Sequence, residues 1–242
     1  MIEQDDRSED LGEPDPEDFL PAPPKKKGFL QQIPTLASLN PALLFFLLFL
    51  ILSFLFWNYD IQDELWASRY SIFVKKEYWR ALTAIFIHAD MKHLLDNSLL
   101  FLIFGTLLYY FYGSFVFPFC SLIVGIVTTL LSAYYHEPYI RMLGASGMVY
   151  GMVAMWIVFY VTYEIRYSFY LRVLRAVGFA LVILFPTSFH EEVDYMAHAI
   201  GFGIGTLAGI LLVPFLNTRV ERFYKEHEKI SRRQSSFFDK TE

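Results

Sequence analysis

From Asn40 to Trp57 the chain reads NPALLFFLLFLILSFLFW, without a single charged side chain. A helix needs roughly 17 to 25 apolar residues to cross about 30 Å of hydrocarbon. Backbone in lipid must also satisfy its own hydrogen bonds, so a run of this kind confines the chain to spanning helices. Asn40 is placed to cap the first span and Pro41 to take its first helical position. Five more runs follow: from His88 to about Tyr112, Phe115 to Tyr135, Ser146 to Tyr163, Val173 to Phe189 with Pro186 inside it, and Tyr195 to Phe215. With 55% of 242 residues hydrophobic and 19% aromatic, a soluble fold is disfavoured. The expectation is an all-α membrane protein, a bundle of six transmembrane helices occupying residues 39–217.

The flanks differ. Residues 1–38 open with an acidic, proline-containing stretch that predicts a disordered tail, and they lack the basic start and apolar stretch of a signal peptide. Residues 218–242 form a charged C-terminal tail that can continue the last helix before fraying. Lys25 to Lys27, the Arg166, Arg172 and Arg175 group, and the run from Arg219 to Arg233 lie on one side of the spans. The positive-inside rule puts both termini in the cytoplasm, with YYHEPYIRML and SFHEEVDY facing outward. Cys120 is the only cysteine, so neither an intramolecular disulfide nor a thiolate metal cluster is possible. The lipid bilayer is the expected surrounding, with no nucleic acid partner; the oligomeric state stays open.

A strongly polar side chain in a span costs at least about 2.5 kcal/mol on insertion scales, so each needs a partner, a watery cavity or a job. Four places stand out: HADMKHLLDN at the start of span two, GASG at the start of span four, Tyr150 one turn below it, and AHAIG near the start of span six. All three spans run inward from the outside, so His93, Ser146 and His198 share one depth in the outer half. Gly147 and Gly151 are four apart, as are Gly201, Gly205 and Gly209, and such small-residue faces let membrane helices pack backbone to backbone. Spans four and six are therefore expected to touch, with Gly144 and Gly147 around Ser146 at a tight helix start. That contact brings Ser146 near His198, and a neutral histidine suits the removal of a serine proton near neutral pH. His93 and Asn97 lie on one face of span two and can donate hydrogen bonds to a developing oxyanion, joined by the Ser146 amide.

Each feature has a plainer reading alone. Small residues pack helices, and a histidine or an asparagine can be interhelical glue; their joint occurrence at one depth favours catalysis. His88 is expected to be a structural hydrogen-bonding residue, His136 and His190 belong to outward loops, and His227 to the tail. Asp96 needs a partner or an aqueous pocket. Asp194, at the start of span six, is expected to cap that helix rather than to complete a triad. Rival chemistries lack residues: there is no H-E-x-x-H, HEE in a short loop has no third ligand, and no second aspartate accompanies Asp96 in a span. No metal and no cofactor are expected.

These residues resemble the rhomboid intramembrane serine proteases. The resemblance rests on YWRALTAIFIHADMKHLLDNSLLFLIFG, on GASG and on AHAIGFGIG, in that order, from about Trp79 to Gly209. It implies a six-helix core, Ser146 as nucleophile, His198 as general base, and Asn97, His93 and the Ser146 amide as oxyanion stabilisers. Tyr150 matches the family's aromatic residue that stacks on the catalytic histidine. Trp79 and Arg80 match a structural, lipid-facing pair in the first outer loop. The implied substrates are transmembrane proteins, cut in or near a segment that is unstable as a helix, and the implied setting is a bacterial cytoplasmic membrane. Ile200 stands where many members carry glycine, and Asp96 puts a charge where apolar or small residues are usual; both bear on substrate fit. Two other classes remain, a rhomboid-like pseudoprotease that binds clients without cutting them and a transporter. The first typically lacks the serine or the histidine, and the second calls for charges through the midplane.

Overall fold

Pro41 lies in the first turn of α1 (Asn40–Asn58), where its missing N–H leaves no hydrogen bond unmade. Asn40 sits inside this helix and does not cap it. The tight turn Leu36–Leu39 runs straight into α1, and the Asn40 amide already donates to the Ala37 carbonyl. The computed structural model describes residues 28–59, 61–184 and 194–238. In these, α1 is followed by α2 (Met91–Tyr112), α3 (Ser121–Tyr135, entered through a wide turn at Phe115–Cys120), α4 (Ser146–Tyr163), α5 (Phe169–Leu184) and α6 (Tyr195–Phe238).

Among the described residues five stretches are long and apolar enough to cross a bilayer: Leu36–Asn58, Met91–Tyr112, Phe115–Tyr135, Ser146–Tyr163 and Tyr195–Lys225. The fifth run of the sequence forms α5, of which 16 residues are described; the rest of that run, with Pro186, lies outside the described residues, as does His190. The chain is an integral, multi-pass, all-α membrane protein. Its α6 has 44 residues, about 66 Å of helix, and so outlasts the hydrocarbon layer and carries the charged C-terminal segment as helix. Part of the segment assigned above to the N-terminal tail is also packed: Phe29 is buried against the rings of Phe111, Tyr112, Tyr163 and Phe223.

Helix α4 is central. Half of its residues are buried inside the protein, against 22% for the span containing α1, whose Leu44, Ile51 and Phe54 face outward. Met148, Val149, Met152, Val153, Met155 and Phe159 are buried on all sides of α4, as expected of an interior helix apolar all round. Its partner is α6. A Cβ added at Gly201 would fall on the Gly147 backbone, and one at Gly205 on that of Gly151, so the two helices touch main chain to main chain. On the other flank Gly147 meets Thr128 and Gly151 meets Val124, both of α3.

The chain between α1 and α2 braces the entrance to α4. Arg80, buried, pairs with Glu77 at 2.6 Å and donates to the carbonyls of Asp63 and Trp66, while Trp79 beside it stays exposed. The stretch so held pairs with the strand-like segment before α4: Ala67 and Met142 exchange two backbone hydrogen bonds of 2.9 and 2.8 Å, and the Gly144 amide donates to Ala84 at 2.8 Å.

Candidate active site

Ser146 is the first residue of α4, and the turn that delivers it requires glycine. Gly144 has φ +107°, a backbone that L side chains rarely adopt, and its missing Cβ is the space that the His93 ring occupies. Ala145 follows, buried, its amide 3.4 Å from Nε2 of His88. As a first-turn amide the Ser146 N–H has no acceptor within its own helix.

Asp90 starts α2 in the same region. Its backbone is extended and its Oδ1 accepts from the His93 amide at 2.8 Å, which caps the helix and places the first residue at Met91, three beyond His88. One turn on, Asn97 Nδ2 donates to the His93 carbonyl at 2.9 Å, leaving the second N–H of that amide uncommitted by this bond. The His93 ring packs edge-on against His88, with centroids 5.2 Å apart.

His88 is fully buried beneath this group. Its Nε2 takes the Ala145 amide, so Nδ1 carries the proton and donates to Ser53 Oγ at 3.2 Å, while its carbonyl accepts from Trp57 Nε1 at 2.7 Å. Burial lowers its pKa to about 3; His93 pushes the same way and Asp90 opposes, so the ring is neutral.

His198 lies in the first turn of α6, and Tyr150 of α4 stacks on it, centroids 4.1 Å apart and planes 11° from parallel. Tyr150 is itself held by a hydrogen bond from its hydroxyl to the Ile183 carbonyl of α5. Asp194 precedes the helix. Its Oδ1 accepts from the Ala197 amide at 2.9 Å and its Oδ2 lies 2.7 Å from His136 Nε2. Both oxygens are thus hydrogen-bonded to partners other than the His198 ring.

Ser146, His198, His93, Asn97, Tyr150 and Gly144 all line one cavity of about 530 Å³, together with Gly147. Gly151, Gly201 and Gly205 lie deeper, in the α4–α6 seam. Among the described residues no hydrogen bond joins Ser146 to His198; both line the same cavity. Asp96 finds both things that its charge requires, a 2.7 Å pair with Lys92 and an exposed position at the cavity rim. A hydroxyl, an imidazole and several N–H donors around one polar-rimmed cavity form the set that acyl transfer needs.

Part of this cavity carries no strong signal in the sequence. Thr128, Ser132 and His136 are spaced four apart and form a polar stripe on α3; the first two line the cavity, and the third reaches Asp194. Ser132 Oγ is buried without a hydrogen-bond partner among the described residues. The spacing was visible in the sequence, but α3 offers no ionisable residue within the hydrocarbon to draw attention to it.

A family model described as "Rhomboid domain" matches residues 75–215. Among similar proteins, the putative rhomboid protease YdcA of Bacillus subtilis is 30% identical over 141 residues, covering 57% of this chain and 68% of that protein. Rhomboid protease GluP of the same organism is 31% identical over 118 residues, 49% of this chain and 22% of its own length. RHOMBOID-like protein 1 of Arabidopsis thaliana is 29% identical over 139 residues, 57% of this chain and 36% of that protein. The chain thus spans about a third of the length of this plant relative, and 52% of a second one, mitochondrial RHOMBOID-like protein 6.

Proposed function

This chain belongs to the rhomboid family, and we propose that it acts as an intramembrane serine endopeptidase, hydrolysing peptide bonds in or near transmembrane segments of membrane-protein substrates. One observation carries the reading. The polar residues of α2, α4 and α6, each costly in lipid, line the same cavity.

In this reading Ser146 Oγ attacks the scissile carbonyl while the His198 ring takes its proton. The oxyanion accepts hydrogen bonds from the Ser146 amide, from the free N–H of Asn97 and from His93. His198 then returns the proton to the leaving amine, and a water entering past the charged outer rim, deprotonated by His198, releases the acyl group. The stacking of Tyr150 supports a dyad in which an aromatic face orients the imidazole without burying a charge. The engagement of both Asp194 oxygens with other partners supports the same reading. Catalytic hydrogen bonds are often long before substrate binds and tighten in the Michaelis complex, so the open Ser146–His198 geometry is compatible with it.

The proposed setting is a bacterial cytoplasmic membrane with both termini in the cytoplasm, consistent with the basic residues flanking the spans; a reporter fused after Glu242 that reads external overturns this orientation. For the activity, the decisive test is fluorophosphonate labelling of the purified protein beside cleavage of a model transmembrane substrate. Ser146→Ala and His198→Ala are each expected to fall to background while folded, since nucleophile and base act as a unit. Substantial cleavage by either variant refutes the mechanism, and a wild-type protein that shows no Ser146-dependent labelling is instead a client-binding pseudoprotease.

A further inference from the structure

We propose that His136 is a positioning residue for His198, acting through Asp194; the proposal rests on the reading of His198 as the base for Ser146. His136 is the residue at which α3 ends, and Asp194 is the residue from which α6 starts. Their side chains meet at 2.7 Å and are largely shielded, with exposures of 21% and 32%. An ionised carboxylate only accepts hydrogen bonds, so His136 Nε2 carries the proton and donates to Asp194 Oδ2.

Asp194 then holds the first turn of α6 in two places. Oδ1 takes the Ala197 amide at 2.9 Å, and the Asp194 carbonyl takes the His198 amide at 3.2 Å. The backbone of His198 is therefore tied to Asp194, and Asp194 is tied to α3. Stacking on Tyr150 fixes the plane of the imidazole, and Tyr195, edge-on to it at 6.1 Å, belongs to the same turn and moves with it. The α4–α6 seam meets this turn at its inner side, where the Ala197 carbonyl lies against Gly147, and holds α6 main chain to main chain from Gly201 onward; it does not reach the Asp194 end. The start of this turn is a helix end, the part of a helix most prone to fray, and the Asp194–His136 pair ties that end to α3.

The polar stripe on α3 fits this role. Thr128 packs on Gly147, one residue beyond Ser146, and His136 holds the start of α6, so one face of one helix references both halves of the dyad. The link also makes a distinction between two Asp194 variants. In Asp194→Asn the amide still caps Ala197 with its oxygen, and its N–H₂ can donate to Nε2 once His136 adopts the other tautomer; Asp194→Ala loses both contacts.

The experiment follows the rate of fluorophosphonate labelling, kcat and KM on a transmembrane substrate, and melting temperature, for the full chain in detergent. Ser146-dependent labelling of the wild type comes first: its absence refutes the protease reading, and its presence isolates the test of His136. Misplacing a catalytic group by about 1 Å costs up to about 10²-fold, and fraying of one turn is expected to cost roughly tenfold. His136→Phe, which keeps a ring but no donor, should therefore lower kcat and labelling about tenfold with KM unchanged. His136→Gln, which sets an N–H near the position of Nε2, should stay within about threefold. In an Asp194→Ala background His136→Phe should cause no further loss. If His136→Phe does not fold, His136→Asn, too short to reach Asp194, takes its place as the slow variant. The proposal is overturned if His136→Phe slows labelling equally in both backgrounds, if His136→Gln is as slow as His136→Phe, or if only KM changes.

Discussion

Gly144→Ala should strain the turn before α4 and press on the His93 ring at the same time. At φ +107° an alanine is strained, and a residue held in such a region costs of order 1–3 kcal/mol. The new methyl would also lie 2.7 Å from His93 Cε1 and 2.9 Å from Nε2, against about 3.5 Å for an ordinary carbon contact, so the ring has to withdraw by about 0.8 Å. His88, fully buried and edge-on to His93, closes one direction of retreat, so the imidazole is displaced toward the cavity. Two readouts separate the effects. Strain alone should lower Tm in detergent by about 2 to 12 °C, using about 2–4 °C per kcal/mol for a chain of this size. Displacement of an oxyanion donor should lower kcat by up to about 10²- to 10³-fold. Adding His93→Ala removes the clash but not the strain. The double variant should keep the lowered Tm and turn over no more slowly than His93→Ala alone. A Gly144→Ala protein with wild-type Tm and kcat would show that neither the left-handed turn nor the His93 contact matters.

Asn97→Ala should reduce turnover by about 10²- to 10³-fold while still permitting slow labelling of Ser146, and unchanged turnover would leave Asn97 with only its bond to the His93 carbonyl. Gly205→Val should sharply lower Tm, because its side chain lands on the Gly151 backbone, whereas Gly203→Ala, whose methyl meets no atom among the described residues, should melt like wild type; equal melting of the two would refute the close α4–α6 seam. For His88 the folded pKa of about 3 lies below the ordinary histidine value of 6.5, so the unfolded chain binds the extra proton first as pH falls. Stability is complete above about pH 6.5 and declines toward pH 3, by about 1.4 kcal/mol per unit from this group. Melting curves of His88→Gln should lose part of that slope between pH 6.5 and 4.5, and identical slopes would contradict a buried neutral His88.

The spanning helices and the candidate residues were legible because lipid makes every exception visible. Ser146, His93, Asn97 and His198 interrupt apolar runs in which each polar group is costly, and helical spacing alone puts His93 and Asn97 on one face and the glycines of α4 and α6 into seams. Local chemistry also set the start of α2, through the Asp90 cap, although the run as read began earlier. What no local pattern could supply is which group faces which across the bundle. His88 and the Ala145 amide are 57 residues apart, and His136 and Asp194 are 58 apart. Each of these pairings depends on helix offsets of a few ångströms, set by packing of the whole bundle. Asn40 shows the same limit at short range: its capping signal was sound, but the turn before it arrived already helical and left its amide nothing to cap. Sequence determines which groups must be hidden from lipid, since that follows from transfer free energy residue by residue. Only the tertiary structure decides their partners, since a hydrogen bond is lost within about 1 Å of misplacement and the close contact of α4 with α6 is what brings these groups within that range.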